Sequence, residues 1–211
     1  MVEKFLRFIF PERCNICRDI TNLGAYPICR SCRKQILKSL YTKNSGDSDF
    51  FLGSVVEFNE VSQDLVHKLK YGRKEILARI IGRLIYQKVL KNSEVNIDII
   101  IPVPMSQKRK SWRSFNQTDL IAIELSKLLK CRYNLYNLQR VKHTKTQTKL
   151  NKIERRENMK DVFNVLNPML FKNKNILIVD DVITTGATVD SCRNAIINNS
   201  KNVYTASFAR A

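Results

Sequence analysis

The sequence predicts an α/β protein with a mostly parallel sheet, preceded by a small N-terminal module. Residues 176–179 (ILIV) form an apolar run without alternation, which is typical of a strand buried on both faces of a parallel sheet. Strand-like segments alternate along the chain with segments of helical apolar period, as expected for βαβ units. Two CxxC pairs near the N-terminus indicate a separate module held together by its cysteines.

The 211 residues are enough for one sizeable core and one accessory module. We divide them into a module at 1–45, which includes an amphipathic N-terminus, and an α/β domain at 50–211, joined by the polar segment 42–50 (TKNSGDSDF). The first elements predicted for the α/β domain are a strand at 51–58 and two helices within 62–90, separated near Gly72. A buried strand at 97–104, stopped by Pro102 and Pro104, and a helix at 116–129, capped by Asn116, follow. The remaining elements are a strand at 133–138, the strand at 176–179 with a helix after it, and a C-terminal strand at 203–211.

The N-terminal cysteines have the spacing of a metal knuckle. Cys14 and Cys17 form one CxxC pair and Cys29 and Cys32 form the second, eleven residues further on. Four thiolates on a short loop can surround Zn²⁺ tetrahedrally without another ligand, so we predict a closed, structural zinc site. Disulfides and a redox CxxC are the alternatives, and the chain shows no secretion signal that would favour disulfides. The basic residues around these cysteines either contact phosphates or flank a cap that needs metal to fold.

The charge balance is strongly basic, with 37 Lys and Arg against 19 Asp and Glu and a net charge of +18. Such a field attracts polyanions, of which nucleic acid is the usual one. A lysine-rich composition caused by an AT-rich genome is the alternative explanation.

The sequence contains no apolar run near the ~20 residues that span a bilayer. The N-terminal segment MVEKFLRFIFPERC is too short for a signal peptide and lacks a cleavage site, so we expect a cytoplasmic protein. Packing of this segment on the fold is the first interpretation, and contact with the inner face of the membrane is the alternative.

A candidate ligand site follows the buried strand at 176–179. Asp180 and Asp181 stand at its carboxyl end, where open α/β sheets bind their ligands. Small residues after them let backbone N–H groups and hydroxyls surround an anion at the start of the next helix. Those residues are Thr184, Thr185, Gly186, Ala187 and Thr188. We call residues 184–188 the anion loop. Two carboxylates beside this loop suit a ligand that carries both a phosphate and a diol.

Two further segments are rich in basic residues. Residues 139–160 are long and polar, which indicates either a functional loop or a solvated loop tip. Residues 107–115 place cations around Trp112 and Phe115, as a stacking platform for single-stranded nucleic acid requires. The cations are Lys108, Arg109, Lys110 and Arg113. Core packing is the alternative role for Trp112.

The stretch VDDVITTGAT at 179–188 resembles the phosphoribosyl pyrophosphate (PRPP) signature of type I phosphoribosyltransferases. The double CxxC and four further blocks resemble the ComF family of competence proteins over nearly the full length. These blocks are LKYGRKEILARIIG, IIPVPMSQKRKSWRSFNQ, TKTQTKLNKIERREN and VYTASFARA, in the family's order. The resemblance implies a sheet of the type I phosphoribosyltransferase type.

The resemblance also implies a role for each matching position. Asp180 and Asp181 would bond the ribose hydroxyls directly or through Mg²⁺, and residues 184–188 would hold the 5′-phosphate. Pro104 and Met105 match the loop that binds pyrophosphate. Gln147 and Arg155 match the flexible loop that closes over the site. The cations at 108–113 would then serve either DNA or PRPP.

Two positions depart from the family pattern. Ser114 stands where family members usually have glycine, the residue type that permits a close backbone approach. After Lys70 and Tyr71 the chain continues Gly-Arg-Lys instead of glycine-aspartate, which puts a role for that loop in doubt.

These observations lead to two main hypotheses. The first is a DNA-handling factor that binds a ribose phosphate and single-stranded DNA, with the DNA-uptake machinery as its partner in natural transformation. The second is an active phosphoribosyltransferase that moves phosphoribose from PRPP to a small acceptor. A regulator that senses PRPP without chemistry is a third. The acceptor, the oligomeric state and a shared groove for DNA and PRPP are not readable from the sequence.

Overall fold

A computed structural model describes residues 12–20, 28–42, 49–72, 75–105, 115–141 and 162–211. The strands are β1 Phe51–Glu57, β2 Ile99–Pro102, β3 Arg132–Tyr133, β4 Leu138–Arg140, β5 Phe163–Val165, β6 Asn175–Ile183 and β7 Asn202–Arg210. The α-helices are α1 Arg30–Ile36, α2 Glu60–Tyr71, α3 Glu75–Ile85, α4 Gln117–Leu129 and α5 Ala187–Ile196. A π-helical turn, Tyr86–Leu90, follows α3, and 3₁₀ turns lie at Leu37–Ser39, Pro168–Phe171 and Ile197–Asn199.

The main sheet has five strands in the order β1-β7-β6-β2-β3, and every neighbouring pair is parallel. The chain passes from β2 through α4 to β3 on one side, and from β6 through α5 to β7 on the other. The predicted α/β class with a mostly parallel sheet is therefore confirmed. The strand order reverses between β2 and β6, which makes this boundary the topological switch point of the sheet.

Both faces of the sheet are covered, as the apolar run in β6 predicts. Leu177 and Val179 belong to a core with side chains of α2, α3 and α4, whereas Ile176 and Ile178 belong to a second core with α5. Successive strand residues point to opposite faces, so one run of four apolar residues supplies both cores.

The N-terminal module packs directly on the α/β domain. Cys14 and Cys32 are buried, and they share the first core with Leu65 and Leu69 of α2. The Lys68 ammonium donates to the carbonyl of Ile16 at 3.2 Å. The cysteine-containing module, called the knuckle below, therefore packs on helix α2.

The predicted strand at 133–138 is wrong. Tyr133 ends β3 of the main sheet, and Leu138 begins β4, which pairs antiparallel with β5 in a separate two-stranded sheet. Between them, the Asn134 side-chain oxygen accepts the N–H groups of Tyr136 and Asn137, which turns the chain. An asparagine that bonds the backbone two and three residues ahead competes with strand geometry.

The other boundaries differ by a few residues. The helical region 62–90 does divide near Gly72, and the N–H of Gly72 closes α2 on the carbonyl of Lys68 at 2.8 Å. Asn116 stands at the N-cap of α4, but its side chain makes no capping bond and instead donates to Asp119 Oδ1 at 2.5 Å. Strand β6 runs on to Ile183, so the two acids lie within it.

Candidate functional site

The predicted ligand residues lie at the carboxyl edge of the sheet, at the switch point. Strand β2 pairs with β6 up to Pro102, which stands opposite Val179. On that side, Asp180 and Asp181 continue beyond the last paired residue, while on the other side β7 accompanies β6 as far as Ile183. The strand pairing thus opens a crevice next to both acids, and ligands of open α/β sheets bind in such crevices.

Asp181 is held by two side chains from remote parts of the sequence. Its carboxylate oxygen Oδ2 lies 2.9 Å from the Lys70 ammonium at the end of α2. The same oxygen accepts the Gln117 side-chain amide, at the start of α4, at 2.9 Å. The Asp181 side chain is only 5% exposed and that of Lys70 22%, so this is a largely buried, charge-balanced pair.

Asp180 is half-buried, and its Oδ1 accepts the backbone N–H of Asp181 at 2.8 Å. Burial raises the pKa of the Cys192 thiol in α5, and the charge of Asp180 raises it further. The two adjacent acids therefore have different surroundings.

The anion loop is shaped by Gly186, which stands at the N-cap of α5 with φ +81°. A Cβ added there would lie 3.5 Å from Asp190 Oδ2, an ordinary contact, so the glycine is required by the backbone angle and not by space. The N-cap residue Gly186 makes no side-chain cap, and the N–H of Ala187 donates to the Thr185 hydroxyl oxygen at 3.4 Å. The other N–H groups of a first helical turn have no acceptor within the helix. Free N–H groups at a helix start can bind an anion, so the geometry is compatible with the predicted anion site.

Arg210 stabilises the chain where β6 ends and this loop begins. Arg210 donates from Nη1 to the carbonyl of Thr184 at 2.8 Å, and its guanidinium lies over the Phe51 ring, 5.5 Å from the centroid. The N–H of Ala211 also bonds the carbonyl of Ile183 at 2.9 Å. These contacts hold the first residue of the loop against β7.

Pro104 and Met105 follow β2 on the other side of the crevice. The carbonyl of Val103, just before them, accepts the Thr118 hydroxyl at 3.0 Å and the Asn116 amide at 3.5 Å. The start of α4 therefore fixes the base of the predicted pyrophosphate loop.

The other predicted site residues lie outside the described residues. They are Lys108, Arg109, Lys110, Trp112 and Arg113 of the basic segment, and Gln147 and Arg155 of the 139–160 segment. Their roles stay predictions.

The four predicted metal ligands do come together. Within the described part of the chain, the sulfurs of Cys14, Cys17, Cys29 and Cys32 all lie within 4.8 Å of one another. Four thiolates bound to zinc at ~2.3 Å would be about 3.8 Å apart in a tetrahedron. The Cys17 and Cys29 sulfurs are 3.8 Å apart. The cluster thus fits a metal ion, and no fifth ligand is needed.

Backbone N–H groups favour the thiolate form of Cys14 in this cluster. Burial raises the pKa of the Cys14 thiol, but N–H groups of Cys29, Ile16 and Cys17 outweigh burial and lower that pKa to about 6. Two of those N–H groups, from Cys29 and Ile16, lie 3.3 and 3.4 Å from the Cys14 sulfur. Burial and the neighbouring thiols raise the pKa of Cys32 well above its usual range, because a second negative charge there is unfavourable without a cation.

Sequence reasoning missed Lys70, Gln117 and Arg210 as members of the site. All three stand in the blocks that resemble the ComF family, so a signal was present. Their position beside Asp181 and Thr184 depends on how α2, α4 and β7 pack on β6, which a pattern of residue types does not contain.

A crevice at the switch point, with acids and an anion loop, defines an α/β protein with a candidate phosphate-binding site. Competence protein F of Haemophilus influenzae is 30% identical over 207 residues, covering 86% of this chain and 89% of that protein. The chain belongs to the competence protein F (ComF) family. DNA utilization protein YhgH of Escherichia coli O6:H1 is 34% identical over 152 residues, which is 70% of this chain but 66%, just under two thirds, of that relative.

Among solved structures, adenine phosphoribosyltransferase from Saccharomyces cerevisiae resembles the chain at 14% identity and a TM-score of 0.44, covering 87% of this chain and 90% of the enzyme. A similarity of this strength carries no conclusion about ligand or activity. No protein-family model matches the chain. No helix among the described residues is both long and apolar enough to cross a membrane.

Proposed function

We propose that this protein binds PRPP, or a related ribose phosphate, with Mg²⁺ at the switch-point crevice, and binds single-stranded DNA during DNA uptake. One observation carries the proposal. An acid pair in β6 is followed by a helix start whose N-cap residue is a glycine at φ +81° that makes no side-chain cap. Carboxylates bind sugar hydroxyls or Mg²⁺, and a helix start binds a phosphate. The ribose hydroxyls and the 5′-phosphate of one ligand could therefore be bound by residues only a few positions apart.

In the proposed complex each group has a separate task. Residues 184–188 bind the 5′-phosphate, and the acidic end of β6 binds the ribose hydroxyls or the Mg²⁺ ion. Pro104 and Met105 lie beside the pyrophosphate. Mg²⁺ would supply positive charge to the pyrophosphate, and it prefers one or two carboxylates together with phosphate oxygens. The zinc we propose for the cysteine cluster has a structural task only, because thiolates fill all four positions.

Titration calorimetry with PRPP and Mg²⁺ tests the ribose-phosphate proposal. We expect wild type to bind, and Asp180→Asn to bind at least about tenfold more weakly, because a charge-assisted hydrogen bond contributes roughly 1.5–3 kcal/mol. Glu94→Gln is the matched control, since it removes one exposed acid from the segment before β2. Absence of heat with wild type would refute the proposal.

The DNA part of the proposal is supported by charge and by exposed rings. The net charge is +18, and the exposed cations of the knuckle are Arg13, Arg18, Arg30, Lys34 and Lys38. Next to Lys70, the Tyr71 ring is 63% exposed and lies against the ring of His67, with centroids 4.7 Å apart. Cations with an accessible ring are what a binder of single strands needs. The names of the relatives, competence protein and DNA utilization protein, agree with such a role.

Fluorescent single-stranded DNA titrated across a salt series tests this part, with and without Mg²⁺ and PRPP. Binding with a steep salt slope would support phosphate contacts, and competition by PRPP would place DNA in the same crevice. Absence of binding at about 50 mM salt would refute it.

An active phosphoribosyltransferase is the second candidate, because the acid pair and anion loop are both intact. An acceptor would attack C1 of PRPP as the bond to pyrophosphate breaks and pyrophosphate leaves with the electron pair. Replacing Asp180 and Asp181 together by Asn separates the candidates. Turnover should disappear in that variant, whereas phosphate-driven DNA affinity should stay equal or increase slightly.

A further inference from the structure

We infer that the adjacent acids divide the work of the site: Asp180 faces the ligand, and Asp181 is a positioning residue whose charge is balanced inside the protein by Lys70. The inference rests on the proposed ribose-phosphate site and assigns its residues more narrowly. It also assigns Lys70 and Gln117 to that site as the residues that hold Asp181.

The first support is the direction of the strand. Asp180 and Asp181 lie in β6, where successive side chains point to opposite faces of the sheet. Leu177 and Val179 belong to the core with α2, α3 and α4, and the contacts of Asp181 with Lys70 and Gln117 put it on the same face. The alternation ends there, since Val182 packs on this core and Ile183 on the other. The even-numbered residues Ile176 and Ile178 belong to the core with α5, and Asp180 continues that one. The anion loop begins α5, so Asp180 is the acid on its side.

The second support is the set of bonds that Asp181 makes. One oxygen, Oδ2, lies at 2.9 Å from both the Lys70 ammonium and the Gln117 amide. Its side chain is 5% exposed, so ligand access to Asp181 would require a buried ion pair to open. Separating such a pair is costly because each charge would lose its partner without regaining full hydration.

The arrangement explains what Asp181 contributes. Lys70 ends α2, and Gln117 begins α4, where its neighbours Asn116 and Thr118 hold the carbonyl of Val103. Asp181 therefore connects the three segments that border the crevice. Because Lys70 balances the charge of Asp181, an anionic ligand meets less net negative charge at the two acids, which lowers the electrostatic cost of binding a polyphosphate.

A double-mutant cycle on Lys70 and Asp181 tests the inference, with melting temperature and affinity for PRPP with Mg²⁺ as separate readouts. Lys70→Met leaves a buried carboxylate without its cation, so it should lower both the melting temperature and the affinity. Lys70→Met with Asp181→Asn removes both charges and keeps an oxygen for Gln117. We expect the double variant to regain most of the lost melting temperature and to bind at least about fivefold more tightly than Lys70→Met alone.

Two further variants complete the design. Lys127→Met removes an exposed lysine from the last turn of α4, and it controls for the loss of one positive charge. Asp180→Asn should weaken binding with little change in melting temperature. A double variant that regains its melting temperature but binds as weakly as Asp180→Asn would overturn the inference, because Asp181 would then contact the ligand itself.

The stability readout separates this inference from the proposed function. If wild type binds no PRPP, the proposed function fails, and the melting temperatures alone decide about Lys70 and Asp181. Additive losses in the double variant would then overturn the inference, since an ion pair that positions Asp181 must show coupling.

Discussion

Removal of metal from the cysteine cluster is expected to destabilise the whole protein and not only the knuckle. The knuckle shares its core with α2: Ile28 and Ile36 are buried together with Leu65, Val66 and Leu69. Small knuckles do not stay folded without metal, because too few apolar side chains hold them. Loss of the ion should therefore uncover this part of the core.

The size of the effect follows from the burial. Exposing a buried isoleucine costs about 1.5–3 kcal/mol, so exposing Ile28 and Ile36 should cost about 3–6 kcal/mol. A domain of this size loses about 2–4 °C of melting temperature per kcal/mol, which predicts a decrease of roughly 6–24 °C. The effect should reach the crevice, because Lys68 bonds Ile16 of the knuckle and Lys70, two residues further on, pairs with Asp181.

The assay compares metal-loaded and chelated protein by circular dichroism melting, with metal content measured by mass spectrometry. Titration calorimetry with PRPP on both samples measures the effect on the crevice. Cys131→Ser is the matched control, since Cys131 lies outside the cluster and should leave the metal content unchanged. A fully metal-free sample that melts within about 2 °C of the loaded protein would refute the reasoning, because the shared core would then not depend on the ion.

Three further predictions concern single residues. Gly186→Ala should cost about 1–2 kcal/mol, because alanine is disfavoured at φ +81°, and PRPP affinity should fall with it; an unchanged melting temperature would contradict the role of the glycine. Burial raises the pKa of both the Cys131 and the Cys192 thiols, that of fully buried Cys192 well above its usual range, so in native protein at pH 8 an alkylating reagent should label half-buried Cys131 before Cys192; equal labelling rates, measured by peptide mass spectrometry, would contradict this. Tyr71→Ala should weaken single-stranded DNA binding by roughly 5–150-fold if a base stacks on the ring, whereas Tyr71→Phe should bind nearly as wild type; equal affinity of the two variants would exclude stacking there.

Much of the fold was readable because the relevant patterns are local. The unbroken apolar run at 176–179 predicted a buried parallel strand, and β6 lies in the middle of the sheet with a core on each face. The spacing of the four cysteines predicted a cluster, and their sulfurs do converge. The segment 133–138 was misread, because its apolar content resembles a strand while the bonds of Asn134 turn the chain.

The candidate site was predicted in part. The acid pair and the anion loop are contiguous in sequence, so their place at the end of a strand could be foreseen. The different surroundings of Asp180 and Asp181 could not, since they depend on which helix covers each face of β6. The ComF-like block around position 70 marks that segment, but it does not specify that Lys70 contacts Asp181, 111 positions away in the sequence.

The sequence by itself determined most of the strands and helices and the four cysteines that cluster, because these depend on neighbours within a few positions. The tertiary structure decided which charges are balanced, which acid faces the crevice and which helix supports the knuckle. The physical reason is that burial and ion pairing depend on distances in space between segments remote in the chain. Lys70, Gln117 and Asp181 come from α2, α4 and β6, and only the packed fold brings them within 2.9 Å.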